Sequence, residues 1–109
     1  MIRVAVFQTP EKEYRGFRME GHAGAGDYGT DIVCSAVSML VLNTVNSIEA
    51  FTDAGFTCEA AEDGGYLQFT FTEEPDDDAV LLVRAMMLGL EETVKQYGKK
   101  YIKIRYEEV

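Results

Sequence analysis

A chain of 109 residues, 47% of them hydrophobic, holds enough apolar material for one domain spanning residues 1–109, with a single core between two packed layers. Its net charge of −9 argues against nucleic acid, which needs a basic stripe, and suits a basic peptide or protein, although acidity also serves solubility alone. No apolar run is expected to reach the ~18 residues of a membrane span. Met1-Ile2-Arg3-Val4 does not read as a signal peptide, and two cysteines do not make a disulfide framework, so a reducing cytoplasm is expected.

Ile2 to Gln8 is rich in β-branched and aromatic residues, with Ile2, Val4 and Val6 on one face. After the polar turn Pro10-Glu11-Lys12-Glu13, Tyr14 to Gly21 alternates, setting Phe17 and Met19 against Arg18 and Glu20. The two segments predict a hairpin. A helix is expected to start at Thr30 or Asp31, both good N-caps, and to run to about Asp53, with Gly55 as a left-handed cap. Ile32, Val33, Ala36, Val37, Leu40, Val41, Val45, Ile48 and Phe51 form its apolar stripe.

Phe56 to Ala61 and Tyr66 to Thr72 predict a second hairpin through Asp63-Gly64-Gly65, with Leu67, Phe69 and Phe71 on one face. Cys58 lies mid-strand between Phe56 and Ala60 and is expected in the core. Pro75-Asp76-Asp77-Asp78 opens a second helix through Val80, Leu81, Val83, Met87, Leu88, Leu90 and Val94, which ends at Gly98. Helix capping accounts for the three aspartates without a metal ion. Lys99 and Lys100 suit a helix C-terminus, and Tyr101 to Tyr106 is a last strand with Ile102 and Ile104 inward, Lys103 and Arg105 outward. The order ββαββαβ predicts an α+β two-layer sandwich, a mostly antiparallel sheet with two helices on one face.

The candidate chemistry lies between the halves. The one histidine stands in Gly21-His22-Ala23-Gly24, and a glycine-rich stretch leads to Asp31-Ile32-Val33-Cys34. A thiol and an imidazole can form a nucleophile–base pair. Cys34 is expected at the third or fourth helical position, where unpaired N–H groups and the helix dipole favour a thiolate and can receive an oxyanion. Asp31 can cap the helix or orient the imidazole. Ser38, one turn after Cys34, can touch a bound peptide or bond its own helix. The alternative is structural: Cys34 as a small buried residue, His22 as a hydrogen-bonded strand end.

Gly24-Ala25-Gly26-Asp27-Tyr28-Gly29 also fits the G-x-G-x-x-G dinucleotide fingerprint. Asp27 would set negative charge against a pyrophosphate, and an antiparallel hairpin does not supply the βαβαβ unit such a site needs. The glycines read instead as a loop able to close over a substrate.

The residues Gly21-His22-Ala23-Gly24, Gly29, Asp31-Ile32-Val33-Cys34 and Ser35-Ala36-Val37-Ser38 resemble the ribosomal-processing cysteine protease Prp (YsxB-like) family of Firmicutes and related bacteria. The likeness extends over the chain in length and element order. Members usually carry an aromatic soon after G-H-A-G and alanine after the cysteine, where this chain has Ala25 and Ser35. The resemblance implies a cytoplasmic, homodimeric endopeptidase that removes the N-terminal extension of a large-subunit ribosomal protein (bL27 type); no cofactor or metal is expected. It makes Cys34 the nucleophile and His22 the base, Gly21 a hinge, and Asp31 and Ser38 supporting or peptide-binding residues. The competing class is a non-catalytic acidic binding module, an assembly factor for a ribosomal protein.

Overall fold

The computed structural model describes residues 1–21, 28–62 and 64–109, and residues 28–31 by their backbone. The expected order is found: β1 (Ile2–Gln8), β2 (Tyr14–Glu20), α1 (Tyr28–Phe51), β3 (Phe56–Ala60), β4 (Tyr66–Phe71), α2 (Asp77–Tyr97) and β5 (Ile102–Glu108). One five-stranded sheet runs β3-β4-β2-β1-β5. Three neighbouring pairs are antiparallel, and β5 lies parallel to β1 with Ile2 opposite Ile102.

These pairings explain why both helices lie on one face. β2–α1–β3 and β4–α2–β5 each join parallel strands, one crossover moving toward one sheet edge and the other toward the opposite edge. The strands that begin them run in opposite directions. Two right-handed crossovers so related place their helices on the same side. A single core results, in which Ile2, Val4, Val6, Phe17, Met19, Leu67, Phe69 and Ile102 meet Val33, Val37, Val41 and Ile48 of α1 and Val83, Met87 and Leu90 of α2.

Aromatic packing anchors the middle of the sheet. Phe69 stacks on Phe17 with ring centroids 4.7 Å apart, on Phe56 at 4.7 Å, and meets Phe71 edge-on at 4.8 Å. Phe69→Ala removes a wholly buried ring and three ring contacts. The expected cost is about 3–5 kcal/mol, read from the urea midpoint at unchanged slope.

Helix ends follow local chemistry. Asp76 caps α2 by accepting the Ala79 N–H at 2.8 Å, and Gly98, at φ 97°, closes it with its N–H on the Val94 carbonyl. At the end of α1 the expected left-handed Gly55 is not found. Positive φ among the described glycines belongs to Gly21, Gly64 and Gly98. Thr52 closes that end instead: its hydroxyl donates to the Ile48 carbonyl at 2.8 Å and accepts the Ala54 N–H at 3.1 Å.

Burial corrects several expectations. Phe51, Leu81 and Leu88 are exposed, because a stripe read from composition is wider than the arc that two side-by-side helices turn toward one sheet. Cys58 is exposed as well. It stands opposite Phe69, hence on the inner face as alternation requires, but β3 is the outermost strand and Thr57 to Ala60 lie beyond the helical layer. The expectation of no span-length apolar segment also fails by composition, since Ile32–Phe51 is long and apolar enough to cross a membrane. In the fold that segment is the helix whose Val33, Val37, Val41 and Ile48 cover the sheet, while Ser35, Asn43, Asn46 and Glu49 face outward.

One tie across the core edge is sensitive to pH. The half-exposed Tyr106 hydroxyl donates to a Glu91 carboxylate oxygen at 3.0 Å, joining β5 to α2. Burial, then that bond and the Glu91 charge, push its pKa from 10.0 up to about 12. The folded state thus holds the phenol neutral where the unfolded chain ionises it. This stabilisation is complete below pH 10 and is lost as pH rises through about 12. Urea titrations across that window should show wild-type stability falling more steeply than that of Tyr106→Phe; parallel curves would refute the assignment.

Candidate active site

α1 begins at Tyr28, two residues before the earlier of the expected starts, which makes Cys34 its seventh residue and not its third or fourth. The correction matters for reactivity. Unpaired N–H groups and the dipole's influence are confined to the first turn, and Cys34 sits in the second, where backbone N–H groups are bonded within the helix.

Cys34 is half-buried and packs against the core beside Val33 and Val37. Ser38, also half-buried, stands one turn further along the same face. Asp31 belongs to the first turn of α1 by its backbone. His22 and the glycine stretch as far as Asp27 lie outside the described residues, as do the side chain of Asp31 and the dinucleotide-like motif up to its last two positions.

Gly21 is where the approach to this segment is fixed. Its φ is +118°, and a Cβ placed there would stand 2.4 Å from the Met1 carbonyl oxygen and 3.2 Å from the Ile2 Cα. Its N–H donates to the Gly65 carbonyl at 3.0 Å, and the Ile2 N–H donates to the Tyr101 carbonyl at 2.9 Å. The glycine thus lets β2 end against the β1 backbone and leave in a direction an L side chain does not allow.

The second thiol offers a different environment. Cys58 has its pKa raised, first by burial and then by Glu59 beside it. It lies on an outer strand with an adjacent carboxylate, conditions that oppose a thiolate. Of the three aspartates, Asp76 caps α2, and Asp77 and Asp78 stand in its first turn. The backbone partners Gly65 and Tyr101 escaped sequence reasoning. The Gly64-Gly65 pair marked a turn, but nothing local indicates that its carbonyl meets the end of β2.

Comparison with known proteins agrees with this geometry. The family model for cysteine protease Prp matches residues 1–103. The ribosomal processing cysteine protease Prp of Bacillus subtilis is 32% identical over 101 residues, covering 89% of this chain and 90% of its own. The Staphylococcus aureus protein of the same name is 28% identical over 107 residues, covering 98% of this chain and all of its own. Crystal structures of Prp from S. aureus superpose with a TM-score of 0.88 in complex with a covalently linked product peptide, and 0.89 with a substrate peptide, at 28% and 27% identity. Each covers 98% of this chain and all of the other. A Streptococcus mutans structure, 29% identical, gives 0.86 over all of this chain and 96% of its own. The chain is a cysteine protease and belongs to the Prp family.

Proposed function

We propose that this protease acts in the cytoplasm, removing the N-terminal extension of a large-subunit ribosomal protein of the bL27 type, with Cys34 as nucleophile, His22 as general base, and a homodimer as the working form. The observation that carries the proposal is the contrast between the two thiols. Cys34 stands on the core helix one connection away from the one histidine, and Cys58 stands on an outer strand with its thiol form favoured. The relatives' names specify ribosomal processing, and the S. aureus structures hold substrate and covalently linked product peptides. A net charge of −9 suits a basic substrate protein.

The chemistry is acyl transfer. His22 takes the Cys34 proton, and the thiolate attacks the scissile carbonyl carbon to form a C–S bond. The C–N bond breaks as the imidazolium gives its proton to the departing amine. Water, losing a proton to His22, then attacks the thioester and releases the new carboxylate, returning the thiol. Ser38 lies one turn from Cys34, where it can contact peptide bound against α1, and in this reading Asp31 supports the imidazole or the helix start. Gly21 sets the direction from which His22 approaches.

Thiol labelling tests the pair directly. A pH-dependent alkylation favouring Cys34 over Cys58, and lost in His22→Ala, is the expected result. Equal slow labelling of both thiols would sink the dyad and favour a non-catalytic binding surface. Incubation with ribosomal proteins bearing N-terminal extensions, read by mass spectrometry, tests the substrate.

A further inference from the structure

We propose that the edge formed by the end of α2 and β5 binds single-stranded RNA, with lysines on its phosphates and the Tyr106 ring against a base. The choice of RNA rests on the ribosomal substrate proposed above, while the binding is independent of the chemistry at Cys34.

Net charge is a sum over the surface, and this fold divides it unevenly. Lys95, Lys99, Lys100, Lys103 and Arg105 are half of the chain's 10 lysines and arginines, and residues 95–106 hold no aspartate or glutamate. Tyr97, Tyr101 and Tyr106 are interleaved with them. The sheet adds a cation from the other end of the sequence, because parallel pairing sets Arg3 opposite Lys103. Lys95 pairs with Glu92 at 3.2 Å and Arg105 pairs with Glu107. Arg3, Lys99 and Lys103 have no ion pair among the described residues. The end of a helix explains Lys99 and Lys100. It does not explain Lys103 beside Arg3, since like charges on adjacent strands repel unless an anion lies against them.

A groove gives this charge a shape. It encloses about 540 Å³ between α2 and β5, with Val94, Ile102 and Ile104 as an apolar floor and Lys95, Lys99 and Lys103 beside it. Tyr106 lines the same groove with half its surface exposed, and its hydroxyl is tied to Glu91 at 3.0 Å, which holds the ring in place. Glu91 stands at the Tyr106 end, so phosphates are directed to the lysine end. A base stacked on a fixed aromatic ring, with the flanking phosphates on cations, is how single strands are held without regard to sequence. An acidic peptide would satisfy the lysines but leave the ring unused. The 19 acidic residues of the chain repel RNA from the remaining surface and confine it to this edge.

The test is fluorescence anisotropy of the full chain with a short labelled RNA strand of mixed sequence, titrated at several potassium chloride concentrations. Binding is expected, with affinity falling as salt rises. K99Q/K103Q, folded by circular dichroism, should weaken it about tenfold or more and flatten the slope of log K against log salt by about 1.4, at about 0.7 per cation for a single strand. K12Q/R15Q removes the same charge at the opposite end of the sheet and should leave affinity within about twofold. Tyr106→Leu should weaken binding about fivefold or more at unchanged slope, and Tyr106→Phe, which keeps the ring, should retain it. Absence of binding at low salt overturns the proposal, as do equal losses in the two double variants, which would make the effect one of net charge. Wild-type affinity in Tyr106→Leu overturns the base contact. Displacement of the RNA by polyglutamate at matched charge would make an acidic protein the occupant, and a deoxyribose strand bound about tenfold more tightly would make it DNA; either overturns RNA. None of these outcomes bears on cleavage, which is assayed separately.

Discussion

Cys34→Ala is expected to lower kcat/KM for cleavage of an extension-bearing ribosomal protein by about 10⁴-fold or more, with the fold intact. Without the sulfur no thioester forms, and residual activity reports only binding and polarisation of the scissile carbonyl. Stability should change little. Cys34 is half-buried, and alanine keeps its Cβ while removing one sulfur from the margin of the core. Cys58→Ser supplies the contrast: an exposed thiol on β3, with a carboxylate beside it opposing ionisation, whose replacement should leave kcat/KM within about twofold. The pair is decisive because the two variants differ in position and not in the chemical group removed. If Cys58→Ser abolished cleavage and Cys34→Ala did not, the assignment would be reversed.

The position of Cys34 shows where sequence and structure part. The element order, both hairpins and the second helix with its Asp76 and Gly98 caps were legible, since each rests on local chemistry: period-2 alternation, turn glycines, a capping aspartate, a terminal glycine. The Prp signature was legible as a run of residues. What local pattern does not carry is how far each element is covered. Cys58 alternates correctly and points to the inner face, yet it is exposed because β3 is an edge, which only the strand order determines. Phe51, Leu81 and Leu88 belong to apolar stripes, and the second layer reaches just part of each. The parallel seating of β5 beside β1 is likewise a long-range fact, joining residues a hundred positions apart, as Ile2 and Ile102 do. The start of α1 moved by two residues, and that small shift takes Cys34 out of the first turn of the helix.

In the proposed dyad the imidazole directly follows Gly21, whose backbone the structure describes. Gly21→Ala should be far more damaging than alanine at another glycine with positive φ, and Gly64 provides the comparison. Gly64, at φ +79°, has nothing within 4 Å of a built Cβ, so alanine there meets only the backbone penalty of a left-handed conformation, about 1–2 kcal/mol. Gly21, at +118°, adds to that penalty a Cβ set 2.4 Å from the Met1 carbonyl oxygen, a contact that backbone must move to relieve. Its N–H bond to Gly65 holds the strand end while the β1 backbone presses from the other side, so relief is expected as displacement of the segment leading to His22. Gly21→Ala should therefore cost several kcal/mol in thermal or urea unfolding, about 2 kcal/mol or more beyond Gly64→Ala. At a temperature where the variant remains folded, its cleavage rate should still fall about 100-fold, the effect of misplacing a catalytic group by about 1 Å. Gly64→Ala should retain its rate. Equal stability of the two variants would show that the crowding at Gly21 is relieved without cost, and full activity in a folded Gly21→Ala would show that the approach of His22 does not depend on how β2 ends.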